Sequence, residues 1–455
     1  MSHKRPTNAE RSAYFARREA AKVLRSTLQG DAKQRAVGSI KSLVYSPSIR
    51  NKKATFALVC ETLKHLSVIK NVLEDANILG AKWKEGTLIG DAERYVMLKK
   101  DALQLALSRI LSRNGAKEVK DLVVLDKISD LQKQRFARVN TLKMDTESVI
   151  GELRKQYEVK KDDMVPDLLI LQPRTDLHNH PLVFSGCVFL QGKGSSMVAV
   201  ALAPEPGWEV IDACAAPGNK TLHLAALMKG KGKIIACERD RERVKRLKEN
   251  VTLAGALNVK VEHEDFLNLD PSDPTFSKIR AILLDPSCSG SGTVVDRLDH
   301  LLPSHRAGQS ADEMKRLRKL AGFQKRVLEH ALSFPAVERI VYSTCSIHQI
   351  ENEDVINSVL HLASSRGFQL ETVFPQYPRR GLPTFDGSEH LLRTDLVEDK
   401  EGFFIALFVR KNIRHLKDEV RVLRKEVKVA SKSRKPFNVF VAKMLKVPFK
   451  PRKNI

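Results

Sequence analysis

The chain has 455 residues, 42% of them hydrophobic and 29% charged, with a formal net charge of +24. That is more than one typical domain and enough apolar material for a substantial core, yet no apolar run reaches the roughly 18–20 residues of a membrane helix. The charge is uneven: residues 1–50 hold 11 Lys/Arg against 3 Asp/Glu, and residues 410–455 hold 16 against 3, so a nearly neutral middle lies between two basic ends.

The N-terminus, "MSHKRPTNAERSAYFARREAAKVL", lacks the apolar core of a secretory signal. From Asn8 to about Gln29 the pattern predicts a basic helix thinly supplied with apolar residues, within a basic tail over 1–37. From "SIKSLVYS" to "RYVMLKKDALQLALSRILSRNG" apolar residues recur at helical spacing, with a break at Ser46-Pro47-Ser48 and a stop at Gly115. Residues 38–130 therefore read as an all-helical module. "RFARVNTLK" (Arg135–Lys143) opens a region of short strands and turns over 131–205. Beyond Trp208 strands and helices alternate: "WEVIDACAAPG", "NKTLHLAALMKG", "KIIACERD", "RERVKRLKENVTLAG", "VKVEHEDF", "AILLDPS", a helix around "MKRLRKLAGFQKRVLEHALSF", and "RIVYSTCS". This predicts an α/β domain over 206–410, a parallel sheet covered on both faces and closed by "GFFIALFVR", followed by a basic tail over 411–455. Basic ends of this kind neutralise phosphates, and "RKEVKVASKSRK" serves equally well as a nuclear import signal. The six cysteines (60, 187, 214, 237, 288, 345) contain no CxxC pair, which argues against a zinc site or disulfide framework and for a reducing compartment.

Ligands of open α/β sheets sit at the carboxyl ends of the strands. The first turn, "DACAAPGNKT", is rich in small residues (Ala213, Ala215, Ala216, Gly218), which lets a ligand approach the backbone and the helix N-terminus. It is not GxGxxG, so a dinucleotide pyrophosphate is disfavoured. Glu238 ends the second strand at the spacing that suits a carboxylate on ribose hydroxyls, and Asp265 ends the third, placed for an adenine amino group. Ribose and adenine contacts without a phosphate loop point to S-adenosylmethionine. Each feature alone is commonly only a turn or a surface charge; their order at successive strand ends carries the reading.

Two further strands end in thiols, Cys288 in "AILLDPSCSGSG" and Cys345 in "RIVYSTCS". A lone buried cysteine is usually a small hydrophobe. Two in one crevice, beside the first strand, suit methylation of carbon 5 of cytosine: a thiolate adds to carbon 6, carbon 5 becomes nucleophilic, and a base then releases the enzyme. Asp285 can hold the N3/amino edge of the ring, and the base must leave any stack to be reached. The residue types alone do not say which thiol attacks.

"DACAAPGNKT", "DPSCSGSG" and "YSTCSIHQIENED", in that order, resemble the Sun-domain (RsmB-type) RNA cytosine-5 methyltransferase family, over about Arg135 to Arg410. "RVNTLK" and "VFLQGKGSS" resemble that family's RNA-binding region, and "SIKSLVYS" with "ALVCET" its eukaryotic subgroup acting on large-subunit ribosomal RNA. The resemblance implies a Rossmann-like methyltransferase sheet preceded by a helical domain and a small α+β RNA-binding region. It implies that Cys214, Ala215, Ala216, Pro217, Gly218, Asn219 and Lys220 wrap the methionine part of S-adenosylmethionine, with Glu238 on the ribose, Asp265 on the adenine and Arg243 at a further cofactor position. It implies that Asp285 holds the target base, Cys345 is the nucleophile and Cys288 assists release. The family usually has Asp-Ala-Pro-Cys before the release cysteine; here Asp285-Pro286-Ser287-Cys288 moves the proline. RNA is the expected partner, with no metal and no membrane, for a monomer in the nucleus and nucleolus. A methyltransferase for amines or protein needs no thiol and more often reads Asn/Asp-Pro-Pro-aromatic. An assembly factor that only holds RNA would not need both cysteines and the cofactor carboxylates. Transfer RNA is the alternative substrate.

Overall fold

The structure is a computed structural model and describes residues 7–32, 40–78, 89–122, 134–293 apart from 174, 302, 311–395, 399 and 401–411. Within the basic tail expected over 411–455, residues 412–455 lie outside the described residues, as do residues 1–6.

Among the described residues six helices come first: α1 (Asn8–Ala32), α2 (Ile40–Val44), α3 (Lys52–Lys64), α4 (Leu66–Asp75), α5 (Ile89–Leu98) and α6 (Lys100–Arg113). A capping box starts α1, the Thr7 hydroxyl accepting from the Glu10 amide while the Glu10 carboxylate accepts from the Thr7 amide. The sequence gives α1 little apolar support, but the structure corrects this. Ala20 and Val23 are buried with Ile40, Val44, Val59 and Leu63, and Glu19 accepts from the Arg50 and Asn51 amides and the Thr55 hydroxyl. Small residues and one well-placed carboxylate do what a longer apolar stripe would. Asp75 at the end of α4 takes both Arg109 and Arg113 of α6.

The α+β region contains β1 (Arg135–Val139), α7 (Thr146–Leu153), β2 (Val159–Lys161), β3 (Leu168–Leu171), α8 (Pro181–Phe184), β4 (Val188–Phe189) and α9 (Lys193–Leu202). Its antiparallel sheet runs β2-β3-β1-β4, and α7 buries Val149, Ile150 and Leu153 against Ala137, Val139, Leu169 and Leu171.

The large sheet holds β5 (Glu209–Asp212), β6 (Lys233–Cys237), β7 (Val259–Glu262), β8 (Ile279–Leu284), β9 (Arg339–Thr344), β10 (Phe368–Glu371), β11 (Leu392–Arg393) and β12 (Phe404–Arg410). Its helices are α10 (Asn219–Leu227), α11 (Arg241–Ala254), α12 (Ala311–Ala331) and α13 (Glu353–Ser365). The order is β10-β12-β9-β8-β5-β6-β7, with β11 on β12. The stretch from β7 to β9 is parallel, as the alternation predicts. The other end is not: β12 runs antiparallel between β9 and β10, and β10 has no distinct apolar signature. The sheet order also corrects a second expectation: the strand of Cys288 lies beside β5, but that of Cys345 lies beside β8, one strand further out. Alternate residues face opposite layers. Val210, Leu283 and Val341 pack with Met197, Leu202 and Leu222 on one side; Ile282, Leu284 and Tyr342 pack with Val327, Leu328, Val355 and Ile356 on the other.

Asn140 of "RVNTLK" is fully buried at the seam between the two sheets, its amide donating to the carbonyls of Gly186 (2.8 Å) and Ala254 (2.9 Å). Asn140→Ala strands two buried carbonyls, at about 1–3 kcal/mol each. It is expected to lower the thermal unfolding midpoint, read by circular dichroism, whereas substitution of the exposed Lys143, whose ammonium donates to the Ser185 carbonyl, is expected to change it little.

Candidate active site

Five strand ends meet at one cleft. After β5, Ala215 and Ala216 are buried against Ala236 and Leu247, and Gly218 takes φ +113° where a Cβ would stand 2.9 Å from Leu247 Cδ1. Only glycine suits that turn, and it starts α10 at Asn219. Beneath it lies Asp212, fully buried, accepting from the Thr221 hydroxyl at 2.7 Å; burial pushes its carboxyl up to about 7. After β6, Glu238 is buried and held by Arg243 (3.1 Å) and the Asp240 amide (2.9 Å). After β7, Asp265 accepts from the Leu267 amide. β8 leads to Asp285 and Cys288, and β9 to Cys345.

Cys214, Ala216, Glu238, Arg243, Asp265, Asp285, Cys288 and Cys345 line this cleft of about 230 Å³. Ala215, Pro217, Gly218, Asn219 and Lys220 do not line it: the first four build the turn, and Lys220 reaches Asp285 from the side. Arg239, Glu264, Phe266 and Phe323 also line the cleft and were missed by sequence reasoning. Arg239 and Glu264 adjoin the two carboxylates at the strand ends, so adjacency was the signal available; for Phe323, mid-helix, there was none.

The Cys288 and Cys345 sulfurs are 3.4 Å apart. Lys220 Nζ donates to Asp285 Oδ2 at 2.8 Å and to the Ser195 hydroxyl at 3.1 Å, while the Ser343 hydroxyl donates to Asp285 Oδ1 at 3.0 Å. Burial works against the charge of Lys220, and the Asp285 carboxylate outweighs it, holding the ammonium above the ordinary lysine range. On the other side stands Glu351, which the sequence reading quoted in "IENED" without assigning it a role. It is fully buried, accepting from the Ser289 amide (2.9 Å), Gln324 Nε2 (3.0 Å) and the Ser346 hydroxyl (2.6 Å). Gln324 also donates to the Ser287 carbonyl. One carboxylate thus pins both cysteine loops.

The thiols are unequal. The Cys288 thiol donates toward Cys345, holding the Cys345 thiol below its ordinary range against its burial; Lys220 adds to that. Cys288 is raised well above, by that same hydrogen bond, then burial, then the charge of Cys345, with Glu351 adding. Burial, followed by the charges of Asp212, Asp285 and Glu238, raises Cys214.

Two outcomes follow from this electrostatics. Iodoacetamide mapping by mass spectrometry is expected to modify Cys345 ahead of Cys288 and Cys214, and Glu351→Gln to narrow the preference of Cys345 over Cys288. Asp212 binds its proton more tightly folded than unfolded, so stability falls as pH rises from about 4 to about 7. Asp212→Asn is expected to remove that slope, seen as urea midpoints that converge at low pH and separate in favour of the variant above pH 7.

A family model described as 16S rRNA methyltransferase RsmB/F matches residues 199–409, and one described as the ferredoxin-like domain of NOL1/NOP2/Sun domain family member 5 matches residues 155–191. The chain is 62% identical over 421 residues to the 25S rRNA (cytosine-C(5))-methyltransferase NSUN5 of Arabidopsis thaliana, covering 89% of this chain and 74% of that protein. It is 39% identical over 416 residues to a 28S rRNA (cytosine-C(5))-methyltransferase of Mus musculus, covering 83% and 88%. A solved methyltransferase homologue protein of Pyrococcus horikoshii matches with a TM-score of 0.52 at 26% identity, covering 75% of this chain and 99% of that one. With two relatives of this likeness aligned over most of their length, the chain belongs to the Sun-domain RNA (cytosine-C5) methyltransferase family, which includes the RsmB/F and NSUN5 enzymes.

Proposed function

We propose that this protein methylates carbon 5 of a cytosine in large-subunit ribosomal RNA, with S-adenosylmethionine as methyl donor. The observation that carries the reading is the pair of thiols 3.4 Å apart in one cleft, one held toward thiolate and the other toward thiol. The donor set of the cleft fits the cofactor: the buried Glu238, held by Arg243, suits paired ribose hydroxyls, Asp265 suits the adenine amino group, and the turn from Cys214 to Gly218 suits the amino-acid end. Asn219 and Lys220 belong to that end through the start of α10. When bound, S-adenosylmethionine supplies an electrophilic methyl group to carbon 5.

The protein's own residues do the rest. Asp285, fixed by Lys220 and Ser343, accepts from the cytosine amino group and sets the ring face toward Cys345. The Cys345 thiolate bonds to carbon 6 and breaks the aromaticity, leaving carbon 5 nucleophilic. After methyl transfer a base takes the carbon 5 proton, and the electrons of that bond re-form the ring double bond as the carbon–sulfur bond breaks and Cys345 leaves as thiolate. Cys288, within one sulfur contact of that bond, is assigned to the release step. In this reading residues 131–205 hold RNA, residues 206–410 perform the chemistry, and the protein works as a monomer in the nucleolus.

The test is a covalent adduct. Cys288→Ala, expressed in cells and recovered under denaturing conditions, is expected to carry RNA that maps to large-subunit ribosomal RNA, and Cys288→Ala/Cys345→Ala to carry none. Absence of any adduct, with cofactor binding intact, overturns the two-thiol mechanism.

A further inference from the structure

Helix α12 has two faces with opposite destinations. Leu317, Gln324, Val327, Leu328 and Ala331 are buried toward the sheet. Outside that buried set stand Lys315, Arg316 and Lys319, and one turn on from Lys319, at the edge of the buried face, is Phe323, half-buried against the same core. Phe323 lines the catalytic cleft; Lys319 stands one turn from it, and Lys315 about 12 Å along the axis. All three cations are exposed, and Gly322 between Lys319 and Phe323 has open space where a side chain would stand. Among the described residues, no carboxylate pairs with Lys315, Arg316 or Lys319; the ion pair along this helix is Lys325 with Glu329. The helix carries six Lys/Arg against three Asp/Glu. It is also tied to the chemistry, since Gln324 donates to the Ser287 carbonyl next to Cys288.

We propose that this face of α12 is the docking strip for the RNA strand beside the target cytosine, with Lys315, Arg316 and Lys319 on consecutive phosphates and Phe323 as the platform where the strand turns into the cleft. A row of unpaired cations leading to an aromatic ring at the mouth of a cleft is the combination that single-stranded nucleic acid requires: charge for the backbone and a flat apolar surface for a base. A duplex cannot present a base at the depth of Cys345, so the strand on this strip is the one that has unpaired locally. The inference rests on the reading of RNA as substrate.

The strip is tested by binding alone, on the full chain, with a short fluorescent single-stranded RNA containing cytosine. Anisotropy titrations across salt concentrations give the slope of log K against log salt, and each lost phosphate contact on a single strand removes about 0.7 from it. The variant Lys315→Gln/Arg316→Gln/Lys319→Gln is expected to bind more weakly with a slope less negative by about 2. Lys315→Arg/Lys319→Arg is expected to keep the parent slope, which guards against a folding defect. Lys245→Gln/Lys248→Gln, on the exposed side of α11, reports the effect of net charge elsewhere. An unchanged slope in the α12 variant overturns the strip, and so does an equal change in the α11 control. Tight, strip-dependent binding without any methylation by the parent protein would instead count against the proposed activity.

Discussion

Two hydrogen-bonded parallel strands ending side by side set the terms for everything else in the cleft. β8 and β9 pair in register to Leu284 and Tyr342, so the next residues, Asp285 and Ser343, meet at once, and each chain then has only a few residues in which to bring its sulfur across. Loops of that length could place the sulfurs in many arrangements. They are held to one because both are attached to the same buried carboxylate: Glu351 takes the Ser289 amide from one loop and the Ser346 hydroxyl from the other. Tyr342 in turn donates to the Glu351 carbonyl at 2.6 Å, tying the carboxylate back to the strand that carries Cys345. Satisfied buried networks of this kind specify a geometry, at the risk of a large penalty when one member is lost.

The same network makes the site electrically lopsided. Two thiols in contact share a proton, and their surroundings decide which holds it. The hydrogen bond from Cys288 favours the Cys345 thiolate first, against burial and the Asp285 charge, with Lys220 adding a lesser assist; Cys288 is raised by that bond, then burial, then the charge of Cys345, with Glu351 adding. Chemical identity alone left the two cysteines interchangeable; the hydrogen bond between them, more than either neighbouring charge, sets them apart.

Most of the cofactor side was legible in the sequence because each of its groups follows a strand directly, and a strand announces itself by an apolar run. Glu238, Asp265, Asp285, Cys288 and Cys345 all sit within a few residues of such a run, so period and position located them. Glu351, Gln324 and Phe323 did not have that marker. Glu351 sits in a single 3₁₀ turn, Gln349–Glu351, where a glutamate ordinarily reads as solvated; its burial depends on partners from three separate stretches of chain. β10 escaped for a related reason: Phe368–Glu371 alternates buried and open positions over only four residues, too short a run to separate from a loop.

"RVNTLK" and "VFLQGKGSS" also carry part of the interior of the fold. Both resemble an RNA-contacting region, yet Arg138 is fully buried, donating to Gln191 Oε1 at 2.7 Å with its guanidinium over the Phe189 ring. Burial draws this arginine down to about 9, which suits an interior strut more than a phosphate contact. Gln191 makes a long contact to Ser195, and the Ser195 hydroxyl accepts from Lys220. A polar line therefore runs from the α+β sheet through Arg138, Gln191, Ser195 and Lys220 to Asp285. One of the two oxygens that fix the Lys220 ammonium, the Ser195 hydroxyl, comes from α9, whose Met197 and Leu202 pack on the large sheet. That line couples the small sheet to the cleft, and loss of the Ser195 hydroxyl would leave Lys220 with Asp285 alone.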